Sequence, residues 1–151
     1  MPTASIKKEV SCTKENLIKM VLDIEKYPEF VPWCISGKIY ETNYKGNTIE
    51  IIADLTIGKS FFHETYKSLV IYNKSEDSIF VTNIDGPLKN LKNEWFFKKI
   101  GKNSEIDFRI DFELKSKILN LLMIKSFDVG LKKIVDAFEK RAVRLFKGKK
   151  N

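Results

Sequence analysis

The chain has 151 residues, 43% of them apolar and 12% aromatic, which suits one globular core and argues against disorder or a fibrous repeat. Its net charge of +7 and pI near 9.3 favour contact with anionic surfaces; a Lys-, Ile- and Asn-rich composition is also what an A/T-rich genome produces. Met1–Val10 holds no signal-peptide core and no stretch nears the roughly 20 apolar residues of a membrane span, so a cytoplasmic protein with Cys12 and Cys34 as reduced thiols is expected.

Residues Ser5 to Cys12 read as a short edge strand with Ile6 and Val10 on one face. Ser11 or Thr13 then supplies an N-cap, and Leu17, Ile18, Val21 and Leu22 recur at helical spacing, predicting a helix over 13–22. In the segment 23–34, Pro28 and Pro32 exclude a regular helix interior. The segment reads as a rigid connector whose Tyr27, Phe30, Val31 and Trp33 must pack on something.

From Gly37 to Leu114 the period becomes two, broken by turn residues at 45–47, 58–59, 73–77, 85–87 and 101–103. Six antiparallel strands are predicted. Ile49, Ile51, Ala53, Leu55 and Ile57 share one face of one strand, Trp95 and Phe97 of another, and Ile106, Phe108, Ile110, Phe112 and Leu114 alternate with charged residues in the last.

After Lys115 the 3.6-residue period returns, predicting a helix of about 30 residues with Leu122, Met123, Phe127, Leu131, Val135 and Phe138 on its apolar stripe. Lys125, Lys132, Lys133, Lys140, Arg141 and Arg144 form its polar face, and Gly130 is a candidate bend. The fold class is α+β: an antiparallel sheet facing one long helix, with an apolar cavity where the two do not meet. Parity assigns that cavity Phe30, Val31 and Trp33 from the connector, Leu55, Trp95 and Phe97 from the sheet, and Leu122, Met123 and Phe127 from the helix.

Catalytic chemistry finds little support. His63 is the single histidine, no Cys/His set has metal-ligand spacing, and neither Gly86-Pro87 nor Gly101-Lys102 fits a phosphate loop. If Phe62, Tyr66, Ser68 and Val70 face inward, His63 faces out and Glu64 in. An inward carboxylate must be paired, hydrogen-bonded or protonated. Asn93, on the parity of Trp95 and Phe97, is its candidate partner or a ligand donor; a polar pair that sets sheet register explains the same residues. An RNA-stacking platform is not expected, because the aromatics fall on core-facing positions.

The segment Tyr27-Pro28-Glu29-Phe30-Val31-Pro32-Trp33-Cys34 resembles the signature of the coenzyme Q binding protein and ribosome association toxin family, a START-like, polyketide-cyclase-like branch. The resemblance extends through Ala53–Gly58, Gly86-Pro87-Leu88 with Leu91, Trp95 and Phe97, and Val135–Ala142, and departs from the usual pattern at Lys59–His63. It implies a helix-grip fold, a sheet curved around the C-terminal helix; because the catalytic set is missing, a non-enzymatic role with no cofactor is expected ahead of an aromatic-ketide cyclase. Ubiquinone, or another polyprenyl quinone, is the implied ligand, held by the cavity residues with Glu64 and Asn93. For the quinone carbonyls, Asn93 and the indole N–H of Trp33 or Trp95 are the available donors. The family's alternative role is association with the ribosome. Peripheral contact with an anionic membrane is expected from the basic helix face.

Overall fold

The computed structural model describes residues 3–59, 62–86 and 88–147, with the side chains at 59, 62, 88, 118–128 and 147 outside the description. Strand β1 (Thr3–Val10) leads into helix α1 (Lys14–Leu22), where the Thr13 hydroxyl accepts the Asn16 N–H at 3.3 Å and closes the first turn. Leu17, Ile18, Met20 and Val21 are its buried stripe.

The connector is more regular than its prolines suggest. Ile24–Glu29 forms a 3-10 helix with Pro28 inside it, because the fixed proline φ lies within the 3-10 range and only one hydrogen bond is forgone. Trp33 then takes φ +65°, a left-handed conformation that a bulky residue adopts only when its surroundings hold it there. Its carbonyl accepts the Gly58 N–H at 2.8 Å.

The six strands predicted over 37–114 are present: β2 (Cys34–Lys45), β3 (Thr48–Lys59), β4 (Phe62–Asn73), β5 (Ser78–Asp85), β6 (Leu88–Ile100) and β7 (Asn103–Leu114). With β1 they make one seven-stranded sheet, β1-β7-β6-β5-β4-β3-β2, antiparallel at every pairing. Gly46, Gly86 and Gly101 carry positive φ at three of the turns, conformations that cost glycine little.

Helix α2 (Lys117–Ala142) comes next and continues into a short π-helical turn, Val143–Lys147. It runs unbroken through Gly130. A Cβ at that position would sit 3.5 Å from Cη2 of Trp33, so the indole lies against the helix there. Leu131, Val135, Phe138 and Ala142 enter the main core with Val10, α1 and the inward rows of the sheet. The architecture is α+β with a helix gripped by a curved sheet.

Candidate functional site

The inward face of the sheet has a filled end and an open end. At the filled end Trp95 stacks on Phe97 (6.1 Å between centroids, 10° between planes) and meets Phe108 (4.6 Å) and Phe138 (5.2 Å) edge-on. Phe138 in turn packs edge-on against Tyr27 and Phe30. The Trp95 indole N–H donates to Asn93 Oδ1 at 2.9 Å, and Asn93 Nδ2 donates to the Arg109 carbonyl at 2.9 Å. The Tyr27 hydroxyl donates to the Val21 carbonyl, and burial raises its pKa far above the ordinary phenol value.

This end is a packed core. Trp95 and Phe97 are buried in it and Phe30 and Val31 pack against it; the Trp95 N–H is taken by Asn93 Oδ1, and Asn93 Nδ2 is spent on the Arg109 carbonyl. Neither faces a ligand headgroup, contrary to the expectation from sequence. Nor is Asn93 a partner for Glu64: Asn93 is opposite Val81 in the row of Ile51 and Val70, whereas Glu64 is opposite Ile57, three inward rows away.

At the other end the sheet splays. The β5–β6 ladder stops at Thr82–Lys92, beyond which the Asn83 side chain takes the Leu91 N–H at 3.0 Å in place of backbone pairing. Inward residues change accordingly. Ile51, Ala53, Val70 and Ile79 are buried, but Leu55, Ile57, Glu64, Tyr66, Ser68 and Leu91 on the same face are only half-buried. Phe112 and Leu114 form a separate small cluster with Tyr66, Leu91 and Ile110. Helix α2 starts just after Leu114, so its first half belongs to this end. Leu122, Met123 and Phe127 fall there, but their side chains lie outside the described residues. Trp33, against Gly130, marks the boundary between the two ends.

Burial, with the Glu64 carboxylate second, raises the Tyr66 pKa, so its hydroxyl remains a donor at neutral pH. Tyr66 and Ser68 were legible as inward by parity; what parity does not give is the splay that leaves them accessible. His63 is exposed, as its outward parity implied. Burial raises both thiol pKa values, Cys12 and Cys34, which lowers their reactivity. Among the described residues no group of His, Cys, Asp and Glu is arranged to hold a metal ion.

Two concavities flank α2. One, of about 480 Å³, lies between β1 and the helix over Ile6, Leu131 and Val135, and is bridged by Lys8 Nζ to Asp136 (2.6 Å) and Glu139 (2.9 Å). The other, also about 480 Å³, lies between the connector and the helix, walled by Phe30, Pro32, Lys133, Lys140 and Arg144.

Two expectations about the surface need correction. Arg141 is not an exposed cation of the helix face: its side chain is 10% exposed, donates to Glu29 at 2.6 Å and lies over the Phe30 ring. This contact holds the Glu29 carboxyl below the usual range. Lys132, Lys133 and Lys140 are exposed as expected, and the Lys125 side chain lies outside the described residues. Nor do all aromatics face the core. Tyr40 (51% exposed), Tyr44 (76%) and Phe80 (38%) are on the surface, Tyr40 between the ammonium groups of Lys38 and Lys67.

The fold and sequence have clear relatives. A ribosome association toxin RatA of Rickettsia prowazekii is 34% identical over 88% of this chain and 90% of its own. The mitochondrial coenzyme Q-binding protein COQ10 of Dictyostelium discoideum is 28% identical over 95% of this chain and 70% of its own. A START superfamily protein of Mycobacterium smegmatis superposes with a TM-score of 0.81 at 20% identity, covering 95% of this chain and 98% of that one, which establishes the shared helix-grip fold. The family described as polyketide cyclase / dehydrase and lipid transport matches residues 15–139, and the chain belongs to it.

Proposed function

We propose that the chain is a non-catalytic carrier of a polyprenyl quinone, which it binds at the open end of the sheet beneath the first half of α2. The observation that carries this reading is that Leu55, Ile57 and Leu91, apolar side chains on the inward face at the end where α2 begins, are only half-buried among the described residues. Each five-carbon isoprene unit covered there contributes up to roughly 4 kcal/mol before ordering costs, at about 0.8 kcal/mol per CH₂ equivalent.

A quinone headgroup offers only acceptors. The Tyr66 and Ser68 hydroxyls on this face are donors. They replace Trp95 and Asn93, whose polar atoms are engaged elsewhere. The coenzyme Q-binding name of the Dictyostelium relative supports the ligand class. The reading is tested by incubating the purified protein with ubiquinone-loaded vesicles, re-isolating it and quantifying extracted quinone. About one quinone per chain is expected; none taken up refutes the proposal.

Association with the ribosome is the second reading. It is favoured by the name of the Rickettsia relative and by exposed Lys132, Lys133 and Lys140 on α2. Co-sedimentation with large ribosomal subunits in a salt series tests it, since phosphate contacts weaken steeply with salt.

A further inference from the structure

The positive charge of the chain is localised. Residues 1–114 hold sixteen basic and seventeen acidic side chains, whereas residues 115–151 hold eleven basic and three acidic ones. The whole net charge therefore belongs to the C-terminal quarter of the chain, which includes α2.

The groove between the connector and α2 gathers this charge. Lys133, Lys140 and Arg144 are exposed along it, and none enters an ion pair among the described residues. The two acids in its wall are each ion-paired, Glu29 with Arg141 and Asp136 with Lys8. Arg141 also brings a buried Nε–H with no acceptor, a donor that an anion in the groove can satisfy. The connector side contributes half-buried Phe30 and Pro32 beside the paired Glu29.

We propose that this groove docks the phosphate headgroup of an anionic phospholipid, seating the protein on a membrane surface through Lys133, Lys140 and Arg144 with Pro32 facing the acyl boundary. Basic side chains beside an apolar rim match the two layers of a lipid interface. Single-stranded RNA fits less well, because the exposed aromatics, Tyr40, Tyr44 and Phe80, are on the sheet rather than beside these cations. The docking is read without quinone, so it stands or falls separately from the carrier function that gives it a purpose.

The test is flotation with vesicles of phosphatidylcholine alone and of phosphatidylcholine and phosphatidylglycerol in equal parts, at low and high salt. The wild-type chain is expected to float only with the anionic vesicles and to lose binding as salt rises. A K133E/K140E/R144E variant is expected to bind them at least about tenfold more weakly. A control with the same charge change in the β6–β7 turn region, K98E/K99E/K102E, is expected to retain most of the binding. The milder variants Lys140→Ala and Arg144→Ala, which leave the core untouched, are each expected to lose about two- to fivefold. Equal loss in the groove variant and the control, or no wild-type binding to anionic vesicles at low salt, overturns the proposal. So does a groove variant that loses ribosome binding but keeps vesicle binding.

Discussion

The indole N–H of Trp95 donates to Asn93 Oδ1 at 2.9 Å inside the packed end of the sheet, with both side chains buried. Asn93→Ala orphans that donor and leaves the Arg109 carbonyl without its partner, which costs about 1–3 kcal/mol. Urea denaturation is expected to show the loss, and quinone uptake by the folded variant is expected to be unchanged because the proposed site is at the opposite end.

Leu55→Lys places a charge on the half-buried face at the open end and is expected to abolish quinone uptake while far-ultraviolet circular dichroism stays native. Trp95→Lys buries an unpaired cation among Phe97, Phe108 and Phe138. Destabilisation by several kcal/mol is expected there, measured as a collapse of the unfolding midpoint. The contrast separates ligand-facing from core-forming positions on one sheet face.

Alanine is expected to act oppositely at two glycines. A Cβ at Gly37 would sit 2.4 Å from the Ile24 carbonyl oxygen, a main-chain atom that cannot yield cheaply, so Gly37→Ala is expected to destabilise by about 1–3 kcal/mol. At Gly130 the nearest contact is an ordinary 3.5 Å to Trp33. Gly130→Ala in the helix interior is expected to stabilise by about 0.5–1 kcal/mol. Thermal unfolding of the two variants checks both, and a loss at Gly130 contradicts the continuous helix.

The Lys8 bridge to Asp136 and Glu139 ties the edge strand to α2. Its hydrogen bond to Lys8 lowers the Asp136 pKa, and hydrogen bonds to Asp136 and then Glu139 raise that of Lys8. The Asp136 contribution is therefore complete above the ordinary value of 3.8 and lost as pH falls through the lowered one. The Lys8 contribution is complete below 10.5 and lost as pH rises through the raised value. Hydrogen exchange is expected to show β1 amide protection flat across neutral pH and falling at both extremes, and Lys8→Met is expected to flatten that profile.

Periodicity and turn residues were sufficient for the strands, both helices and the turns at Gly46, Gly86 and Gly101, because side-chain parity and the 3.6-residue stripe report directly on which face is covered; Gly58, read as a turn, lies within β3. It did not separate Trp95 and Phe97 from Leu55, since all three share an inward face and differ only in how far the helix and connector fill the space above them. That depends on the splay beyond Thr82–Lys92 and on bulges such as Lys67/Ser68, which leave no periodic mark. Arg141 read as a surface cation because its partners, Glu29 and Phe30, are more than a hundred residues away in the chain. Likewise Trp33 gave no sign of its left-handed backbone, which depends on contacts with Gly58 and Gly130.

The central claim, a quinone held at the open end of the sheet, is tested most directly by mass spectrometry of lipid extracted from the full chain purified from a quinone-producing host. The account predicts polyprenyl quinone in the wild-type extract and its loss from Leu55→Lys. A wild-type extract free of quinone, or equal quinone in the two proteins, contradicts it.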